Sequence, residues 1–277
     1  MFILPYLEQG NLYNQFSFAG GTGYPGGKLP QAYTTNAAAV GVTLKAYQCP
    51  SSPQTDVSVW GVPVSTSGAQ AKLGRNHYVG ISGAVPAAFG NPAAFVETRF
   101  NTPANKYNQS GGIMGAGGLL FSGGQVSIPN ISDGTSNTLF VSEQNDLLTT
   151  TTGRRVGWSA GSAFGWIIGW YYPLGVFGPP PVRGNGSDNR TFQLTTIRYQ
   201  INQKQGWPDG PTNDGNCGQT GVCDDGGTNI PLNSAHTGGV NALLADGSVR
   251  FLQNSVSLLT LAQLATRDDG TVLGSDF

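Results

Sequence analysis

Hydrophobic and polar positions alternate most regularly near the C-terminus, on either side of an Asp-Gly pair. Both centres of a two-residue hairpin turn need positive φ, and Asp246-Gly247 supplies the residue types that accept it. Folding residues 233–252 about that pair sets Leu244 against Val249, Ala242 against Phe251 and Val240 against Gln253. Period-two alternation then places Val240, Ala242, Leu244, Val249 and Phe251 on one apolar face, with Asn241, Leu243 and Arg250 on the other.

The same reading predicts short strands over residues 57–64, 76–82 and 138–142, and a strand-like alternation over 192–202. Helical spacing is weaker. It predicts short helices over 8–18 and 34–44, and a C-terminal helix capped by Ser257 that carries Leu258, Leu261, Ala262, Leu264 and Ala265. Asp268-Asp269-Gly270 closes that helix. Strands separated by turns, with few helices, imply an α+β fold built mainly on an antiparallel sheet, not a βαβ alternation. Residues 207–229 form a Gly/Asp/Asn-rich loop of a length that compact domains rarely keep without a function or a staple.

Composition narrows the class. The 277-residue chain holds 42 glycines and only 10% charged residues, against ordinary usage of about 7% Gly and 25% charged. An apolar fraction of 38% is too high for a disordered chain. The net charge of −1, without a Lys/Arg cluster, excludes the electrostatic footprint of a nucleic-acid binder and favours protein association over mutual repulsion. No secretory signal or spanning helix is expected. Residues 1–4 run straight into Pro5, and the longest uncharged run, 156–182, is broken by glycines and by Pro173, Pro179, Pro180 and Pro181.

Several groupings could carry chemistry. Gly157-Trp158-Ser159-Ala160-Gly161 spells the G-x-S-x-G of a hydrolase elbow, but lacks helix signals after the serine, so a serine hydrolase using Ser159 is only a remote alternative. Two histidines, His77 and His236, without a clustered His/Cys set, give no expectation of zinc. His236 reads as a loop-fixing hydrogen-bonding residue, and Asp246 as a hairpin residue. Asp133, Gly134 and Asn137 belong to a turn cluster whose reading is structural. Asp209, Asn213, Asp214, Asn216, Asp224 and Asp225 crowd the long loop with the hard oxygen ligands that calcium takes, although not in EF-hand spacing. The aromatic stretch with Trp158, Trp166, Trp170, Tyr171 and Tyr172 reads as core plus interface, with a polysaccharide platform as the alternative. Cys217 and Cys223 lie in one short glycine-rich loop flexible enough to form a disulfide, which persists in an oxidising compartment. Cys49 is then left over, expected to be unpaired and packed as a small apolar group.

Five stretches together carry a resemblance: Leu4-Pro5-Tyr6-Leu7-Glu8-Gln9, Cys49-Pro50-Ser51-Ser52, residues 133–138 (Asp-Gly-Thr-Ser-Asn-Thr), the spacing of His236 from Asp246-Gly247, and residues 261–270. In this order they resemble the DUF1559 family, whose members carry a pilin-type helix ahead of the first motif. The resemblance implies a single pilin-like or pseudopilin-like domain over residues 1–277, with a loop-rich aromatic insertion around 154–232 and a short C-terminal helix. It implies an extracellular or cell-surface protein whose partner is a further copy of itself, and it leaves room for calcium, since pseudopilin heads sometimes bind it in C-terminal loops. The first motif here lies at the start of the chain, so the expectation is a chain without the pilin helix.

Overall fold

The computed structural model describes residues 3–16, 41–63, 70–100, 112–121, 124–161, 165–166, 192–210, 215–224 and 226–277. Five strands build the main sheet: β3 (Tyr78–Ala84), β4 (Leu139–Glu143), β7 (Leu194–Ile197), β11 (Gly239–Leu244) and β12 (Val249–Gln253). Their order is β12-β11-β4-β3-β7, antiparallel except for the β3–β7 pair. A smaller sheet joins β5 (Leu148–Thr150), β6 (Arg155–Val156) and β8 (Gln205–Trp207), in the order β6-β5-β8. β1 (Val57–Pro63) and β2 (Gln70–Gly74) pair as a ribbon, as do β9 (Gly215–Asn216) and β10 (Val222–Cys223). Helix is confined, among the described residues, to short 3-10 turns, α1 (Gly10–Tyr13) and α2 (Leu258–Leu264). The molecule is α+β with a predominantly antiparallel β framework.

The core follows the strand pattern. Val79, Ile81, Leu139, Val240, Ala242, Leu244 and Leu252 turn inward from the main sheet and meet Leu261, Ala262, Leu264 and Ala265 of the C-terminal helix. Ser257 caps α2 as its sequence predicts, accepting the Thr260 N–H at 3.1 Å, while Asp276 accepts the Ser257 N–H at 2.7 Å. Two satellite clusters flank this core. Leu4, Leu12, Phe16, Leu44, Leu73 and Trp166 form one, and Leu148, Val156, Trp158, Trp207, Val222 and Ile230 form the other.

Four expectations change. The β11–β12 hairpin is displaced by one residue: Leu243 faces Val249, Ala242 faces Arg250 and Val240 faces Leu252. Only Gly247 has positive φ, at 87°, while Asp246 does not, so the loop takes a third residue. The Gly247 N–H donates to Leu244 O at 3.1 Å and the Leu244 N–H to Ser248 O at 2.9 Å, a tight turn followed by a left-handed glycine. Because side chains alternate with period two, that slip turns Val249 and Phe251 outward and brings Leu252 into the core. The helix expected over 8–18 shrinks to α1, since Glu8 adopts a left-handed φ of 59° and separates it from the 3-10 turn Leu4–Leu7. The strand expected over 192–202 contracts to β7, flanked by positive φ at Gln193 and Asn202. Residues 34–40 of another expected helix lie outside the described residues, and 41–44 do not form one.

At Gly247 nothing lies within 4 Å of where a Cβ would stand, so a substitution there meets no clash and is opposed by backbone conformation alone. Gly247→Val is expected to destabilise the protein by about 1–2 kcal/mol, the cost of forcing a side chain into left-handed φ. An unchanged denaturation midpoint would contradict the turn.

Candidate functional site

Three segments far apart in the chain converge at the end of β4. The stretch after Asn233 runs beside residues 143–145: the Asn233 N–H donates to Glu143 O, the Asn145 N–H to Asn233 O, and the Asp146 N–H to Asn233 Oδ1. Lys204 clamps the same two strands of chain, donating to the Asp146 carboxylate and to Ser234 O. The Cys49-Pro50-Ser51-Ser52 loop is tied to this place as well, through Ser52 Oγ to Asn145 O and Gln54 Nε2 to Asp146 O. Its proline and tight Ser52 N–H to Cys49 O turn hold the cysteine in one position.

Cys49, Glu143 and His236 meet there. Cys49 Sγ lies 3.7 Å from His236 Nε2, and Glu143 Oε1 lies 3.3 Å from the same nitrogen. The three ligand-type atoms all fall within 4.8 Å of one another. Glu143 is almost wholly buried, its side chain 2% exposed, whereas His236 is 35% exposed. Each is fixed from behind. Glu143 Oε2 accepts the Asn241 N–H at 2.8 Å, the Cys49 N–H donates to His77 Nδ1 at 2.9 Å, and the His236 N–H donates to Ser234 Oγ at 3.2 Å. Burial pushes the Cys49 thiol up; the Ser51 backbone pulls it partly back, and the Glu143 charge adds to the rise.

This grouping departs from the sequence reading at two points. Cys49 is free and buried, as expected, but it stands beside a carboxylate and an imidazole, not in an apolar pocket. The chain does contain a clustered His/Cys set, assembled from positions too distant to be read from spacing. His236 was legible as a motif residue; nothing in the sequence singled out Glu143.

The other predicted residues go elsewhere. Asp133 accepts the Asp269 N–H at 2.7 Å and the Gly270 N–H at 3.0 Å, Gly134 has φ 97°, and Asn137 Nδ2 donates to Asp133 O, so this motif pins the tail after α2. Asp246 accepts the Ser248 N–H and hydroxyl within its turn. Cys217 and Cys223 are disulfide-bonded, joining the β9–β10 ribbon. Asp209 is held by Arg154 through Nε at 2.9 Å and Nη2 at 2.6 Å, which commits its carboxylate to an ion pair. Asn216 caps its own turn, accepting the Gln219 N–H. Asn213, Asp214 and Asp225 lie outside the described residues, as do Trp170, Tyr171 and Tyr172. Trp158 and Trp166 are core residues, 3% and 5% exposed, and Trp166 Nε1 donates to Val42 O; neither offers a platform to solvent. Ser159 is buried after the two-residue β6, and residues 160–161 form a turn where a hydrolase elbow needs the start of a helix.

The profile of the family described as a protein of unknown function, DUF1559, matches residues 1–258. The chain belongs to the DUF1559 family. No curated protein and no solved structure matches it. Its Cys-Pro-Ser-Ser loop and its His236 motif, which carried the resemblance in sequence, are the two segments that this DUF1559 fold brings together on β4.

Buried beside the Cys49 backbone, His77 is a group through which folding stability responds to pH. Its Nδ1 accepts a hydrogen bond, so Nε2 carries the proton of a neutral ring, and that atom is buried without a protein partner among the described residues. Burial, with Arg75 adding to it, pushes His77 below its ordinary value of 6.5, against smaller opposing effects from Asp56 and the Cys49 backbone. Above 6.5 both folded and unfolded rings are neutral. As pH falls below that, the unfolded chain takes up the proton first, so the stability His77 contributes is lost down through its lower folded value. Urea denaturation between about pH 7.5 and pH 5 should show a fall in stability that is shallower in His77→Gln. Equal slopes in both proteins would remove His77 as the cause.

Proposed function

We propose that the chain is a non-enzymatic, extracellular or cell-surface structural protein that self-associates, as a subunit of a pilin-like filament or surface assembly. The observation that supports self-association within this reading is the β12 edge. At the opposite side of the main sheet β7 is covered, since the Thr196 N–H donates to Thr228 O at 2.7 Å and Thr195 Oγ to Ile230 O at 2.8 Å. Among the described residues β12 pairs with β11 alone, and its outward positions carry Val249, 66% exposed, and Phe251, 46% exposed. Soluble proteins usually blunt a bare edge with charge, proline or a bulge; Arg250 is the one charge on this strand, and its guanidinium lies 4.7 Å from the Phe277 ring centre. The occupant proposed is β12 of a second copy, which would continue the sheet and cover both apolar side chains. A chain with a net charge of −1 offers little long-range repulsion to such pairing.

The surface location is supported by the Cys217–Cys223 bond, a linkage that persists in oxidising compartments. No helix among the described residues is long and apolar enough to cross a membrane. A calcium ion in the 209–225 loop would have to compete with Arg154 for Asp209, so the loop's acidic side chains do not by themselves support it.

Light scattering at rising concentration, with electron microscopy of the same samples, tests the assembly. Wild-type protein should form dimers, since pairing of β12 with β12 is self-complementary and closes on two chains. Val249→Lys with Phe251→Lys should remain monomeric with unchanged melting, because both side chains are already exposed in the free chain. A wild-type protein monomeric throughout, or a double variant that assembles equally well, would overturn the edge as the contact. The compartment has a separate test. Alkylation of protein purified from its native host and denatured without reduction should label Cys49 alone. Three labelled cysteines would remove the support for a surface location.

A further inference from the structure

The geometry points to a divalent transition-metal site, of the ligand chemistry that zinc takes, held by Cys49 Sγ, Glu143 Oε1 and His236 Nε2. The argument begins with the point on which the atoms converge. A thiol–imidazole–carboxylate relay uses both ring nitrogens, one facing the sulfur and the other the carboxylate. Here sulfur and carboxylate oxygen both approach Nε2, at 3.7 and 3.3 Å. Sulfur and carboxylate oxygen gathered about one ring nitrogen is the arrangement of ligands to a shared ion, not of a relay.

The distances fit such a centre. With Zn–S of about 2.3 Å and Zn–N and Zn–O of about 2.0–2.1 Å, tetrahedral angles put sulfur and nitrogen about 3.6 Å apart and nitrogen and oxygen about 3.4 Å apart. The two observed pairs lie close to these values, and the sulfur and the carboxylate oxygen stand within 4.8 Å of each other. The donor set also selects the metal class. Sulfur and imidazole are ligands of zinc and its transition-metal neighbours, whereas calcium and magnesium take oxygen alone.

Charge supplies an independent reason. Glu143 is buried at the end of the central strand, and no Lys or Arg pairs with it among the described residues. A thiolate and a carboxylate together cancel a doubly charged cation, leaving a neutral centre with a neutral imidazole. Binding replaces the thiol S–H bond with a metal–sulfur bond and releases that proton to solvent. The outer shell is already built, with Asn241 on the second carboxylate oxygen and His77 on the Cys49 backbone. Three protein ligands leave one tetrahedral position, and the partial exposure of His236 opens it to water or to an added ligand.

The test uses the full chain without an affinity tag, dialysed against chelator and titrated with Zn²⁺ and Co²⁺. All three cysteines of the chain are accounted for, and Cys49 is the one not in the disulfide. A thiolate-to-cobalt charge-transfer band can therefore come from Cys49 alone, in the wild-type protein and without any variant. The expected result is that band, with one equivalent bound, one proton released and a higher melting temperature in zinc. Cys49→Ser and His236→Gln should each weaken binding by more than the 10–100-fold that loss of an outer-shell partner typically costs. Their metal-free melting and circular dichroism establish that they fold. No charge-transfer band at excess cobalt would overturn the site. So would metal binding that survives unchanged in both variants, which would mark adventitious surface metal. Neither outcome bears on the β12 edge, which is scored by assembly.

Discussion

The fold is registered on β4. It is the middle strand of the main sheet, paired on one side with β11 and on the other with β3, and it contributes Leu139 to the core at its start. Its last residue, Glu143, is a carboxylate with almost no access to water. Burying a charge is costly unless it is paired or hydrogen-bonded, and the surroundings of Glu143 answer that cost from two sides. Asn241 of β11 donates to one oxygen, so the carboxylate is satisfied only when β11 and β4 are in register. His236 stands against the other oxygen with Cys49 beside it, both brought there by loops that hydrogen-bond to the residues just beyond β4. Sheet register and site assembly are therefore the same constraint.

The hairpin illustrates how much of this was legible. Asp246-Gly247 marks the turn correctly, because only a glycine enters left-handed φ without penalty and Gly247 does so. What the dipeptide does not encode is whether one or both central residues take positive φ. Asp246 instead uses its side chain to accept two bonds from Ser248, which suits a longer loop. A sequence window weighs Val249, Phe251 and Leu252 equally as apolar residues. The choice of face was made by the packing of Leu252 beside Val240, which the local pattern cannot express.

The site was legible in its parts and not in its sum. His236 and Cys49 each sit in a recognisable motif, yet 187 residues separate them, and their contact depends on two loops docking independently on β4. Glu143 follows an apolar strand and looks like its solvent-exposed end. Its burial comes from the segments laid over it, not from anything in its own neighbourhood. The turn motif of Asp133, Gly134 and Asn137 was readable as structural because its bonds are partly local; that it also receives the Asp269 and Gly270 backbone was not. The aromatic residues Trp158 and Trp166 anchor two different satellite clusters, a division that composition does not reveal.

The strand order has a consequence for how the chain acquires its structure. β4 finds its β11 partner about a hundred residues further along, and β3 finds β7 at a similar separation, so loop-closure entropy must be overcome before either pairing is rewarded. During synthesis the two central strands emerge long before the hairpin that completes them on one side. Until residues 239–253 are available, β4 presents an open edge, and Glu143 has neither its backbone donor nor its cover. An exposed charge at the end of an unpaired strand is also what discourages premature strand pairing between chains. The residue that is costly to bury in the finished protein is thus, in the unfinished one, a charge at the end of an unpaired strand.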